Sequence, residues 1–73
     1  MPRLPVLSGR EAARRLEKLG YRLARQRGSH MRLVHPARKP LTVPNHPEVG
    51  KGLLRKILRD AEITVEEFLT LGS

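Results

Sequence analysis

The lengths of two connections in the middle of the chain constrain the fold more than any other feature. Three strand-like runs, at residues 21–26, 30–35 and 41–43, are separated by only three and five residues. Neighbouring parallel strands need a crossover of about a dozen residues or more, so these runs can pair only in antiparallel fashion. Pro36 and Pro40 mark the second connection as a turn, and Pro44 ends the third run. The sequence therefore predicts a three-stranded antiparallel meander.

An amphipathic helix is predicted before the strands, over residues 9–19. Ser8 and Glu11 have the spacing of a capping box, in which each side chain binds a free backbone N–H at the start of a helix. Gly20 is a typical C-terminal stop. Apolar residues recur between these two signals at helical spacing, and they are Ala12, Ala13, Leu16 and Leu19.

A second amphipathic helix is predicted after the strands, with a basic outward face. Thr64 and Glu67 form another capping box, which opens a last short helical turn through Leu69. The apolar stripe of the second helix consists of Leu53, Leu54, Ile57, Leu58 and Ala61.

The predicted order is α-β-β-β-α, an α+β fold that forms one domain over residues 1–73, with residues 1–7 as an extended lead-in. Each helix has one apolar stripe to bury, and one face of the sheet is the only partner available. We therefore expect both helices on the same face of the sheet. The other face stays open, and we expect the functional residues there.

The charge of the chain points to a polyanionic partner. Fifteen Lys and Arg oppose seven Asp and Glu, for a net charge of +8, and the basic residues are spread over the predicted elements. Such a distribution is typical of proteins that bind phosphate groups of nucleic acids. Tyr21 and Phe68 are the only aromatic residues, which argues against a surface that stacks bases on aromatic rings. RNA or DNA bound through its backbone or shape fits better.

Composition also excludes several classes of protein. The chain has no cysteine, so disulfides and thiolate metal sites are excluded. No apolar run approaches the roughly 20 residues of a membrane span. No signal peptide opens the chain. We therefore expect a soluble, cytoplasmic protein with no membrane partner.

One predicted turn sets a histidine among arginines. Histidine exchanges protons near neutral pH, and arginine stabilises charge that develops on a phosphate. The 2′-hydroxyl of RNA can itself act as the nucleophile, so a site of this kind can cut RNA without a metal ion. Gly28 would let the backbone approach a phosphate closely, and Ser29 adds a hydroxyl donor. On spacing alone, a histidine that merely begins a strand is the simpler interpretation. The residues concerned are Arg25, Arg27, Gly28, Ser29, His30 and Arg32.

The other two histidines carry weaker signals. His35 precedes Pro36 at the end of a strand, where a structural or solvent-facing role is expected. His46 lies in the loop over residues 45–50 and is a second candidate to face the substrate. The spacing of the three histidines does not match a metal site, and few carboxylates are near them, so no metal or other cofactor is expected.

Lys51 stands between two glycines at the start of the second helix. Backbone N–H groups at a helix start attract phosphate, and Lys51 would add a positive charge there. The alternative is a flexible linker with no binding role. The pattern of a Walker motif is absent.

These stretches, taken together, resemble the HicA family of toxins from bacterial and archaeal toxin–antitoxin pairs. The similarity covers residues 8–69, and it rests on the order and spacing of several short motifs. They are Gly20-Tyr21 leading into residues 27–30, then residues 43–46, 50–58, 63–64 and 67–69.

The resemblance implies a fold like that of a double-stranded RNA-binding domain and an endoribonuclease that cleaves mRNA and so halts translation. In this family the histidine after Gly-Ser is the catalytic residue, which corresponds to His30. A HicB antitoxin is implied as the protein partner that binds the toxin and covers this site. The scarcity of carboxylates agrees with metal-independent transesterification.

Two other functions stay open at this point. A module that recognises structured RNA by shape, without chemistry, would also need a basic surface. The same surface could serve mainly to dock an acidic protein partner. This third role is compatible with the first, because an inhibitor of a nuclease often mimics the charge of its substrate.

Overall fold

A computed structural model describes residues 3–72 and contains the predicted elements in the predicted order. Its helices and strands are α1 (Gly9–Lys18), β1 (Arg22–Arg27), β2 (His30–Val34), β3 (Leu41–Pro44), α2 (Lys51–Ala61) and α3 (Val65–Leu71). The observed boundaries differ from the predicted ones by a residue or two. No helix among the described residues is long and apolar enough to cross a membrane.

The three strands form one antiparallel sheet in the order β1-β2-β3, as the short connections require. Strand β2 lies in the centre, where Met31 and Leu33 are buried and point to the same face as Leu41 and Val43 of β3. The residues between them, such as Arg32 and Thr42, are exposed on the opposite face. The alternation fixes one covered face and one open face.

Both long helices pack on the covered face of the sheet, which confirms the predicted α+β architecture. Ala12 and Leu16 of α1 and Leu54 and Leu58 of α2 belong to one core cluster with the buried residues of β2 and β3. Leu53 was predicted to lie in the buried stripe of α2, and this prediction is wrong, because its side chain is 43% exposed. Leu53 lies at the edge of the apolar stripe of α2 and faces solvent.

Helix α1 begins and ends much as its sequence predicts. The Oγ of Ser8 accepts a hydrogen bond from the Glu11 N–H at 3.0 Å. The Glu11 carboxylate turns to Arg14 and Arg15 instead of closing the predicted capping box. The hydrogen bond from Arg14 holds the pKa of Glu11 below its usual value, with Arg15 contributing less. At the other end Gly20 has φ +114°, the left-handed conformation that suits glycine after a helix.

Helix α3 is longer than the predicted short turn and closes the core. The capping box is complete, since Thr64 Oγ1 accepts from the Glu67 N–H at 3.0 Å and Glu67 Oε1 accepts from the Thr64 N–H at 2.9 Å. Phe68 is fully buried, and the Arg15 guanidinium lies 5.2 Å from the centre of its ring. This contact joins α3 to α1.

The predicted lead-in falls partly outside the described residues, which exclude Met1 and Pro2. Over residues 3–7 the chain has no helix and no regular strand, but it is anchored at two places. Leu4 is 2% exposed within the core, and Leu7 forms an isolated antiparallel bridge with Val49. The lead-in therefore contributes to the core.

We expect Gly9→Ala to destabilise the fold strongly, because a Cβ at this position would collide with the carbonyl oxygen of Pro44. The Gly9 N–H also donates to the His46 carbonyl oxygen at 2.9 Å, and relief of the clash would stretch this bond. The expected loss is about 2 kcal/mol or more in the free energy of unfolding, measured by urea denaturation.

Gly52→Ala is the matched control for this substitution. A Cβ at Gly52 meets no atom within 4 Å, and the residue lies within α2. The free energy of unfolding should rise by roughly 0.5–1 kcal/mol, because alanine loses less conformational entropy than glycine in a helix. Equal effects of the two substitutions would contradict the packing described for Gly9.

We expect Glu67→Gln to reduce the loss of stability in acid. The hydrogen bond from the Thr64 backbone N–H lowers the pKa of Glu67 in the folded state. Stabilisation by the carboxylate is therefore complete above the unfolded pKa of about 4.3 and is lost as the pH falls through the folded pKa. Thermal unfolding of wild type and variant over this acid range measures the difference. Glu66→Gln is the matched control, and an acid response of Glu67→Gln identical to that of wild type would contradict the cap.

Candidate active site

The open face of the sheet carries a groove of about 260 Å³ that brings four of the predicted site residues together. Alternation along β2 places His30 and Arg32 on this face, and cross-strand pairing adds side chains from both neighbours. We call this the His30 groove, and its lining residues are Arg25, Arg27, His30, Arg32 and Thr42.

A β-bulge in β1 places the arginines of that strand on the open face. Leu23 pairs with Leu33, but Arg25 pairs with Arg32, so Ala24 is an extra residue in the ladder. In an uninterrupted ladder Ala24 would oppose Arg32, and Arg25 would join the face that the helices cover. The extra residue shifts Arg25 and Arg27 to the open face, so both lie on the same face as His30.

The turn between β1 and β2 fixes the position of His30. Gly28 and Ser29 form a two-residue hairpin loop, in which Gly28 has φ +57° and Ser29 has a negative φ. Glycine with positive φ at the first position is typical of a type II′ turn, which matches the twist of the strands. Directly after this loop, Arg27 pairs with His30. Gln26 Nε2 donates to the Gly28 carbonyl oxygen at 3.2 Å, and this hydrogen bond stabilises the turn.

The tip of this hairpin is also tied to the third strand. The Asn45 N–H donates to the Ser29 carbonyl oxygen at 2.6 Å, just beyond the pair of His30 with Pro44. This hydrogen bond continues the ladder past the end of β3. The turn that carries His30 is therefore held from both sides.

The His30 groove is strongly electropositive. Arg32 Nη1 donates to Thr42 Oγ1 at 2.9 Å, which orients one guanidinium along the floor. No Asp or Glu occurs in residues 18–47, and all three ion pairs found among the described residues lie within α1 or α2. The charges of Arg25, Arg27 and Arg32 are thus available to an anion, and so is the exposed ring of His30.

Besides Gly28 and Ser29, which form the turn next to the groove, two further predicted site residues do not line it. His46 follows Pro44, the partner of His30, by two residues, and its side chain is exposed but does not line the groove among the described residues. Its carbonyl oxygen accepts from the Gly9 N–H, which fixes the loop but leaves the ring free. Lys51 is exposed at the start of α2, and that helix packs on the other face of the sheet.

His35 has a structural role, as the sequence suggested. The Ala37 N–H donates to its Nδ1 at 3.0 Å, so Nε2 carries the proton and donates to the Leu19 carbonyl oxygen at 3.1 Å. The ring also meets the Tyr21 ring edge-on, with 4.9 Å between centroids. The Tyr21 hydroxyl in turn donates to the Lys39 carbonyl oxygen at 2.8 Å, and burial raises its pKa.

Sequence reasoning missed two residues of the open face. Thr42 lies opposite Arg32 and holds its guanidinium, while Arg22 pairs with Val34 and so shares the face of Arg25. Side chains alternate between the two faces of a strand. An alignment of β2 with β3 would therefore have placed Thr42 opposite Arg32, on the face of His30. Arg22 could not be placed, because its face depends on the position of the bulge.

The histidines and carboxylates do not assemble into a metal site. Over residues 3–72, no three His, Asp or Glu side chains lie close enough together to hold a metal ion. What the groove offers to a ligand is an imidazole, three guanidinium groups and a hydroxyl. This set suits a phosphate diester, because guanidinium groups bind its oxygens and the imidazole can move a proton.

Comparison with known proteins identifies the family of the chain. No curated protein matches the chain. A family model for the HicA toxin of bacterial toxin–antitoxin systems matches residues 9–63, from the first residue of α1 to just beyond the end of α2. The match includes the whole sheet and every residue of the His30 groove, and on this match over most of its length the chain belongs to the HicA toxin family.

Proposed function

We propose that the protein is the toxin of a toxin–antitoxin pair and acts as an endoribonuclease on mRNA, with His30 as its catalytic residue. HicA toxins are generally endoribonucleases, and membership of the family supports the activity. The observation that carries the role of His30 is the His30 groove, where one imidazole lies among three arginines with no carboxylate in the strands around them.

The proposed reaction is a metal-independent transesterification. The 2′-oxygen of the ribose attacks the adjacent phosphorus and loses its proton, and the bond from phosphorus to the 5′-oxygen of the next nucleotide breaks. The leaving oxygen takes up a proton, so the products are a 2′,3′-cyclic phosphate and a 5′-hydroxyl. His30 transfers one of these two protons, since an imidazole titrates near neutral pH.

The arginines of the groove bind the scissile phosphate and stabilise the charge that builds on it. A guanidinium presents two parallel N–H donors, which match two phosphate oxygens. Arg32 is the best oriented of the three, because Thr42 accepts one of its N–H groups. Arg25 and Arg27 lie beside it across the ladder, and Gly28 and Ser29 form the turn that brings backbone close to the RNA.

Two further residues are proposed to bind the same RNA outside the groove. His46 is the candidate for the second proton transfer or for substrate binding, since it follows the strand partner of His30 by two residues. Lys51 is exposed at the start of α2, where its charge and the backbone N–H groups favour a phosphate. The order α-β-β-β-α with helices on one face further suggests a fold like that of a double-stranded RNA-binding domain.

HicA toxins generally pair with HicB antitoxins, and we propose such a partner here. A net charge of +8 and an open face free of carboxylates favour an inhibitor with an acidic surface that covers the groove. An mRNA substrate would place both proteins in the cytoplasm.

A module that binds structured RNA without cleaving it is the second candidate function. It is favoured by one observation, that a single histidine lines the groove while three arginines are enough to hold phosphates. Incubation of antitoxin-free protein with labelled RNA in EDTA separates the two functions. Products with 2′,3′-cyclic phosphate ends favour the ribonuclease, whereas intact RNA with retained binding favours the module.

His30→Gln should abolish RNA cleavage while it leaves folding and RNA binding intact. Loss of a proton-transfer group typically lowers a rate by about 10²–10⁴-fold. The side chain is exposed and makes no hydrogen bond within the described residues, so the free energy of unfolding should be unchanged. Cleavage rate, binding of a 2′-O-methyl RNA and thermal unfolding measure the three properties. Undiminished cleavage by this variant would remove His30 from the mechanism.

A further inference from the structure

A second and larger groove lies on the sheet beside the His30 groove. Its volume is about 490 Å³, within the range of small-ligand sites. We call it the flanking groove, and its lining residues are Gly20, Arg22, Val34, His35 and Pro36. None of the residues proposed above to act on RNA belongs to it.

The two grooves are neighbours on the open face. Arg22 pairs with Val34, and Val34 follows Arg32 by two residues, so both side chains lie on the face of His30. Same-face neighbours in a strand are about 7 Å apart, which places Val34 roughly 13 Å from His30. The guanidinium groups of Arg22, Arg25 and Arg27 thus form one row along β1 that joins the two grooves.

The flanking groove has the chemistry of a nucleotide site. Val34 and Pro36 offer apolar surface, and Arg22 offers a cation that makes no ion pair among the described residues. The His35 ring is fixed by its bonds to Leu19 and Ala37, so one wall is rigid. A Cβ at Gly20 would lie 2.7 Å from His35 Nε2, which is too close for a side chain. The positive φ of this residue also favours glycine.

We propose that the flanking groove binds a nucleotide on one side of the scissile phosphate, with its base against Val34 and Pro36 and its phosphate at Arg22. This subsite rests on the proposed function, because the His30 groove sets where the RNA enters. Single-stranded RNA is the substrate form that fits, since a base can reach apolar surface on the sheet only when it is unpaired. The flanking groove then contributes to the choice of cleavage site.

The test uses short RNA strands in which a single ribonucleotide within a 2′-O-methyl background fixes the scissile position. An abasic residue is placed in turn at each flanking position, and KM and kcat are measured for wild type and for the double variant Arg22→Gln, Val34→Ala. In wild type, one abasic position should raise KM about tenfold, as expected for the loss of one base contact. In the double variant the same replacement should change KM less than twofold, about the no-effect level.

The single variant Arg22→Gln provides a second test that does not depend on Val34→Ala, which could disturb the strand because Val34 is half-buried. It should lower the slope of log Kd against log salt concentration by about one for the all-2′-O-methyl strand. Arg59→Gln, on the exposed side of α2, is the matched control and should leave this slope and the abasic effect unchanged.

Equal abasic effects in wild type and the double variant, at every position, would overturn the subsite. Should wild type cleave none of these strands, the proposed ribonuclease function fails, and the same comparison is made by fluorescence anisotropy on the 2′-O-methyl strands. Weaker binding by Arg22→Gln than by Arg59→Gln would then still support a nucleotide site. Equal binding by the two variants would overturn the nucleotide site, and an acidic protein partner would remain as the candidate ligand of the flanking groove.

Discussion

The pairing register between β1 and β2 is the constraint on which the site depends. Burial of Met31 and Leu33 fixes which face of β2 the helices cover, and β1 must match that choice. The bulge at Ala24 lets Leu23 follow the covered face while Arg25 and Arg27 point to the open one. A slip of one residue would turn these arginines away from His30, so packing on one face sets the chemistry on the other.

Segregation of charge leaves the open face strongly positive. All seven carboxylates lie outside residues 18–47, and Glu11 and Asp60 form ion pairs within helices. Among the arginine side chains of the strands, only that of Arg32 has a partner within residues 3–72, the hydroxyl of Thr42. The arginines of the open face therefore repel one another, and a bound anion would relieve this repulsion. A substrate phosphate or an acidic inhibitor would both satisfy this face. One surface can therefore serve cleavage and its control.

Most of the fold was predictable from local patterns, because short connections and two apolar stripes leave few alternatives. The grouping of His30 with Arg25, Arg27 and Arg32 was also predictable, since these residues are close in sequence. Residues whose position depends on the tertiary structure were not predictable. The bulge has no signature in the residues around Ala24, so the face of Arg22 stayed unknown, and Leu53 was misplaced because apolar spacing alone does not show where the stripe of α2 meets solvent. The contact of Gly9 with β3 likewise joins elements that are distant in sequence.

Backbone amide chemical shifts test most directly whether the open face of the sheet is the RNA-binding surface. Titration of the isotope-labelled protein with a 2′-O-methyl RNA strand, which the 2′-oxygen cannot cleave, maps the surface without turnover. If the open face binds RNA, the largest shifts will occur at residues 22–34 and at Thr42, and those of α1 and the outward side of α2 will be small. Shifts confined to α1 and α2, with the sheet unaffected, would contradict RNA binding at the open face.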